Sequence, residues 1–287
     1  MIAIYKRELK SYFSNVTGWL FIGILLFFTG IFATSINLKS FSARFEYVLL
    51  NESLVFLLAV PVLTMRSVAD EKANKTDQLL YTLPIKMSSV IIAKYLAMVT
   101  VHAITVAVMA VYPIIISLFG IMDYTMAYTA LLGFFLLGCA LIAIGMFLSS
   151  LTESMVIAAV LSFTAMLLLY IMDGAVSILP TSSMGSFVCI SLLIVAIAAI
   201  VYFLTKNSLI SLIAAGVGIV PNCICFLFLR ESYEGMFPNM VGYLAVFNRF
   251  YDFAYGIFDL TAIVYFISVS VFFVFLSVLS VEKKRWN

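Results

Sequence analysis

The side chains able to do chemistry are few and widely spaced. The chain has one histidine, His102, and four cysteines, Cys139, Cys189, Cys223 and Cys225, all within apolar runs. Cys223 and Cys225 form a C-x-C with no histidine near it, which reads as packing sulfur rather than a metal pair. There is no HExxH, and no glycine is followed by lysine, so neither a zinc-protease motif nor a P-loop is present. Serines are plentiful, but none has a recognisable base partner. His102 lies beside Thr100 and Thr105, where a hydrogen-bonded packing role is the simple expectation and a proton relay the alternative. The acids Glu52, Asp123, Asp173 and Asp259 fall near the outer ends of apolar runs, where solvation or helix capping accounts for them. One dense charged stretch remains, Arg66 to Lys94, holding Arg66, Asp70, Glu71, Lys72, Lys75, Asp77, Lys86 and Lys94. Its chemistry is protein recognition, not bond-making.

The elements that position this stretch are membrane spans. Hydrophobic residues make up 64% of the chain and charged residues 10%, against roughly 25% charged in soluble domains. The mean hydropathy is +1.18. Candidate spans are 16–36, 48–65, 95–119, 126–149, 155–172, 187–204, 209–229 and 262–281, about eight in all at ~20 residues each. A re-entrant hairpin over 187–229 would reduce the count to six. An even count puts both termini on one side. That side collects 12 of the 16 Lys and Arg residues, leaving Lys39, Arg44, Arg230 and Arg249 opposite. The positive-inside bias therefore predicts cytoplasmic termini and a cytoplasmic 66–94 loop, wholly in water. Net charge is only +2 and the basic residues form no long cluster, which gives no sign of a nucleic-acid partner.

Three smaller segments complete the expected single membrane domain, 1–287. Residues 1–15 place Ile2, Tyr5, Leu9, Tyr12 and Phe13 on one face, the pattern of an interfacial amphipathic helix. In SSLTES, Ser150 and Glu153 have capping-box spacing, predicting a tight cytoplasmic turn that either caps helices or gives a partner a second contact. The stretch 230–260 is aromatic and polar by turns, with a helix expected over Val241–Phe258 and Arg249 and Asp252 at i, i+3. It is either a lid over an outer exit or an anchor for the last span.

Within the central loop, Thr76 suits an N-cap, Leu79, Leu80 and Leu83 give a short helix apolar knobs, and Pro84 ends it by restricting Leu83. Those leucines either dock on a partner or lie in lipid. Nearly end to end, the chain resembles the ABC-2 type permeases, membrane subunits of ATP-binding cassette exporters, especially small bacterial gliding-motility and antibiotic-export members. The resemblance is carried by IYKRELKSYFSN, RSVADEKANKTDQLLYTLPI with IIAKYLA, GMFLSSLTESMVIAA, and FNRFYDFAYGIFDLTAIVYF with VEKKRW. It implies an all-α, polytopic helix bundle of the type V exporter kind in a bacterial cytoplasmic membrane. The first helix would be the elbow helix, and 66–94 the ATPase-coupling region, with Arg66, Glu71, Thr76, Leu80 and Pro84 matching its recurring pattern. It further implies two ATP-binding subunits holding ATP and Mg, a second permease copy or paralogue, surrounding membrane lipid, and no cofactor or catalytic site in this chain. The implied activity is export of an amphiphilic or hydrophobic solute. The other classes are an ion-coupled secondary transporter, which would want buried charges that the spans do not offer, and a non-transporting scaffold or sensor. The family pattern has six spans, so the pair over Phe187–Leu229 is a departure from it.

Overall fold

A backbone in lipid must satisfy its own polar groups, and helices do so within one segment. The computed structural model describes residues 1–76, 86–206, 208–228 and 230–286, and among them no strand occurs. The helices are α1 (Ile2–Ser14), α2 (Val16–Ala33), α3 (Glu46–Glu52), α4 (Phe56–Thr64), α5 (Ala69–Ala73), α6 (Met87–Met109), α7 (Tyr112–Ser117), α8 (Tyr124–Leu151), α9 (Met155–Ile178), α10 (Ser183–Thr205), α11 (Ser208–Phe228), α12 (Met236–Leu244), α13 (Val246–Ala254) and α14 (Leu260–Trp286). Among the described residues, seven helical stretches are long and apolar enough to cross a membrane: Val16–Lys39, Glu46–Ala73, Met87–Ser117, Tyr124–Leu151, Met155–Met172, Ser211–Phe228 and Leu260–Lys283. The remaining expected span falls on α10, 23 residues long, whose apolar stretch Ser183–Ala199 is shorter.

The chain divides into two compact units, Met1–Tyr170 with Val246–Asn287, and Ile171–Ala245. In the first, α8 is central: 72% of its crossing stretch is buried, against 28% for the stretches of α6 and α14. Close approach of helices in lipid needs small residues, and three glycines of α8 supply it. A Cβ on Gly133 would fall 2.6 Å from Phe253 of α13, one on Gly138 2.1 Å from His102 of α6, and one on Gly145 2.5 Å from Thr64 of α4. Asp123 caps α8 by accepting from the backbone N–H of Thr125 and Met126 at 2.9 and 3.3 Å, and Asp259 caps α14 through Thr261. The same Thr261 hydroxyl and N–H hold the exposed Asp259 carboxyl below the usual carboxylate range.

Two expectations change here. His102 is fully buried, but among the described residues neither ring nitrogen has a hydrogen-bond partner. Thr105 is bonded to the Val101 carbonyl and Thr100 to Leu96 and Tyr5, so packing among Phe21, Phe56 and Phe135 holds the imidazole instead. Glu52 does not reach water. It has no exposed surface, and both carboxylate oxygens lie 2.7 Å from the Thr29 hydroxyl of α2. The side chain of Asp173 lies outside the described residues.

The second unit is the α10–α11 pair with the short helices after it. Lys206 turns the chain in the left-handed region, φ 51°. Pro221 lies inside α11, and next to it Asn222 donates to Ser191 at 3.0 Å and accepts at Oδ1 from Tyr233 at 2.8 Å. Phe187 stacks on Phe226 at 4.5 Å.

Gly138→Ala is expected to destabilise the protein by about 1–3 kcal/mol, because the rigid imidazole must shift. Gly23, with nothing within 4 Å of its added Cβ, is the control: Gly23→Ala should be neutral or stabilising by up to about 1 kcal/mol. Thermal unfolding of the purified protein in detergent separates the two.

Candidate functional site

The charged stretch is joined to the bundle by a buried lysine. α1 lies along α6 with Ile4, Tyr5, Glu8, Leu9, Tyr12 and Phe13 turned toward protein while Ile2 stays exposed. Tyr5 Oη meets Thr100 Oγ1 at 2.9 Å. Gly18 lets α2 pass close to the end of α1, since a Cβ there would stand 2.6 Å from the Tyr12 carbonyl. Glu8 thereby points at the second turn of α6, where the Lys94 side chain is only 3% exposed. Lys94 Nζ lies 2.7 Å from Glu71 of α5 and 3.3 Å from Glu8. Arg7 closes the group, 2.7 Å from Glu8 and 3.7 Å from Glu71. Its guanidinium is held above its ordinary value, first by the Glu8 hydrogen bond, offset by partial burial, and then by the Glu8 and Glu71 charges. Burial pushes the neighbouring Tyr12 phenol up, and the two carboxylates add to this, so it stays neutral. Two cations and two carboxylates balance, so an ammonium that could not be buried alone is accommodated.

A second attachment is made by hydrogen bonds. Ser149 Oγ near the end of α8 accepts from the backbone N–H of Ala69 at 3.1 Å and of Val68 at 3.4 Å, capping the start of α5. Lys72, also buried, donates from Nζ to the Ser150 carbonyl, which Ser280 of α14 reaches too at 3.2 Å. At the other end of α5, Lys75 is left-handed with φ 57°. Thr76 N–H bonds Glu71 O at 2.9 Å and Lys75 N–H bonds Lys72 O at 3.2 Å, the paired bonds of a Schellman turn. Residues 69–76 thus form a closed turn fastened to α1, α6 and α8, and α14 shares the Ser150 carbonyl with it. The expectation that the whole stretch faces water is corrected for Lys72 and Lys94, which are buried because their partners come from other elements.

The remaining predicted positions are distributed as follows. Arg66 is exposed and donates to Thr17 Oγ1 at 3.2 Å. The Thr76 hydroxyl turns back to Glu71 O at 3.2 Å. Leu79, Leu80, Leu83 and Pro84, and with them the helix expected over 76–83, lie outside the described residues. Ser150 does meet the charged stretch, through its carbonyl. Its hydroxyl donates to Phe147 O at 2.6 Å, so no capping box forms with Glu153; Ser154 instead opens α9. The helix expected over Val241–Phe258 is broken at Ala245 into α12 and α13. Phe247, Phe250 and Phe253 are buried, and the half-buried Arg249 sets its guanidinium over the Tyr265 ring at 5.5 Å, with Asp252 one turn along. Glu8 and Ser149 lie inside stretches that carry the family resemblance, IYKRELKSYFSN and GMFLSSLTESMVIAA, but neither stretch names their partners. Glu8 could have been found by its place between Tyr5 and Tyr12 on the inward face of α1, whereas nothing in SSLTES prefers Ser149 over Ser150.

The all-helical, multi-pass architecture and this ionic joint describe a membrane permease. A family model described as ABC-2 family transporter protein matches residues 2–188, and the chain belongs to that family. Family membership implies association with an ATP-binding subunit. No curated protein and no solved structure matches the chain.

Removing one partner of a buried ion pair leaves the other uncompensated. Lys94→Met is therefore expected to cost about 3 kcal/mol, while Arg7→Ala at the exposed edge should cost under about 1 kcal/mol. In unfolding measurements, a cycle of Lys94→Met and Glu71→Gln should give a coupling above about 1 kcal/mol. Additive losses would mean that the two residues do not act as a pair.

Proposed function

We propose that this chain is the transmembrane subunit of an ATP-driven exporter in a bacterial cytoplasmic membrane. It would work with a second permease copy or paralogue and with two ATP-binding subunits that hold ATP and Mg. The chain itself then carries no catalytic residue and no cofactor, and its cargo is an amphiphilic or hydrophobic solute. The observation that carries this reading is the fastening of residues 66–76 to several spanning helices at once. A flexible loop would absorb a push; a turn held by Lys94, Ser149 and the Ser150 carbonyl passes it to the bundle.

The orientation, with both termini cytoplasmic, is supported by what gathers at one end of the first unit. There α1, the 66–76 turn, the start of α6, the SSLTES turn and Ser280 on the last span lie together. That end also carries the excess of Lys and Arg. Closure of the ATP-binding subunits would move the turn, and α1, α6 and α8 would move with it. Residues 79–84 supply the grip, Ser150 and Glu153 a neighbouring contact, and Arg249 with Asp252 an outer closure next to the last span. Such a switch needs contacts that differ between its two states, and docking of residues 79–84 on the partner would supply them.

A second reading, ion-coupled secondary transport, gains one observation: Glu52 is a carboxylate fully inside the first unit. It is weighed against by Glu52's single bond to Thr29, a local tie between α2 and α3.

Replacing Leu79, Leu80 and Leu83 together by Ser should abolish pull-down of the ATP-binding subunit and ATP-dependent transport in vesicles. Retained binding and transport would refute the docking role. Glu52→Gln should leave transport dependent on ATP and indifferent to dissipating the proton or sodium gradient. Transport that survives without the ATP-binding subunit would favour the ion-coupled class, and ATPase activity unresponsive to any solute would favour a scaffold.

A further inference from the structure

Arg66 faces two ways. On one side it shares a polar cleft of about 50 Å³ with Glu8, Tyr12, Thr17 and Asp70. Neither carboxylate is an ion-pair partner of Arg66: Glu8 is engaged by Lys94 and Arg7, and Asp70 Oδ1 accepts from Asn74 Nδ2 at 2.8 Å. Among the described residues Arg66 has one hydrogen bond, to Thr17, and no ion pair. Its five N–H donors therefore retain most of their capacity, and a guanidinium fork fits a phosphate better than any other common anion save a carboxylate.

On the other side Arg66 stands at the mouth of an apolar groove of about 500 Å³ between α2, α4 and α9. Its walls are Val16, Leu20, Val62, Met65, Val156 and Val160. Four of these are well exposed, Val16 by 74%, Leu20 by 45%, Val156 by 72% and Val160 by 58%. The groove is part of helices that cross the membrane, so its natural content is hydrocarbon. The depth of its mouth is marked independently. Trp19, next to Leu20, is 60% exposed and donates its indole N–H to the Phe13 carbonyl at 2.9 Å, the arrangement of a tryptophan at headgroup level. A cation at headgroup depth beside an apolar groove is complementary to a phospholipid, an anionic group joined to hydrocarbon.

We propose that this groove binds a phospholipid, its phosphodiester on the Arg66 guanidinium and an acyl chain along Val16, Leu20, Val156 and Val160. No bond is made or broken; the gain is a charge-assisted hydrogen bond together with van der Waals packing of the acyl chain against the groove walls. The lipid would bridge α2 and α9 at the point where the chain enters the charged stretch. Lipid binding of this kind does not require the exporter reading, and its test involves no ATP.

The full-length protein, purified in neutral detergent and stripped of lipid, is titrated with phosphatidylglycerol and the bound lipid counted by native mass spectrometry. Arg66→Gln should weaken binding by about tenfold or more, the loss expected for a hydrogen bond to a charged group. Ala159→Trp, which fills the groove and leaves the guanidinium intact, should weaken it similarly; if that variant fails to fold, Val156→Trp at an exposed position replaces it. Diacylglycerol, with the chains but no phosphate, should bind the unaltered protein no better than phosphatidylglycerol binds Arg66→Gln. Unchanged lipid binding in both variants would overturn the proposal. So would full displacement of lipid by inorganic phosphate together with indifference to the groove substitution, since that pattern defines a free-anion site.

Discussion

The burial of Lys94 is the constraint on which the working end of the molecule depends. An ammonium with 3% exposure must be neutralised by carboxylates in contact with it, and α6 offers none of its own. Glu8 comes from α1 and Glu71 from α5, so the lysine is stable only when both elements are in place. The same requirement explains why α1, which in isolation would rest in the headgroup plane with its apolar face in lipid, instead turns Tyr5 and Tyr12 toward α6. It also explains why a short, charged helix such as α5, too short to be stable alone, is ordered at all. Its N-terminus is capped by Ser149, its C-terminus is closed by left-handed Lys75, and its side chains are committed inward at Glu71 and Lys72.

The bundle beneath is built on a different rule. In lipid no water is released when apolar helices meet, so packing depends on shape, and α8 supplies the shape with Gly133, Gly138 and Gly145. Each receives a side chain from a different helix: Phe253, His102 and Thr64. Because those contacts leave no room for a Cβ, the helices around α8 are held at close range. Under the proposed function, a displacement of the fastened turn would be carried by helices that move together. The Arg66 groove sits at the rim of this assembly, where Thr17 on α2 and the start of the charged stretch meet.

Much of this was legible in the sequence, and the rest was hidden for identifiable reasons. The spans follow from hydropathy because the bilayer sets their length, and the break at 66–94 follows from charge density. Asp123 and Asp259 fall where a cap is needed. The ionic joint was not legible, since Glu8, Glu71 and Lys94 are separated by tens of residues and each looks like an ordinary solvated charge. Lys94 looks like the end of a loop because it precedes an apolar run, yet it is already inside α6. Glu52 looks solvated for the opposite reason: proximity to a span end says nothing of whether a neighbouring helix covers it. SSLTES does hold the break between α8 and α9, but Ser154 rather than Ser150 opens α9, because the two are equally plausible until the end of α8 is known.

The central claim is that the 69–76 turn and α1 move as one piece when the ATP-binding partner acts. Spin labels at Ala73→Cys on α5 and Lys10→Cys on α1, both exposed positions, report on it directly. In the assembled transporter, pulsed electron-resonance distances are measured without nucleotide and with ATP trapped. The account predicts the same narrow distance distribution in both states. A distribution that shifts or splits on ATP binding would show the turn moving independently of α1, and would contradict it.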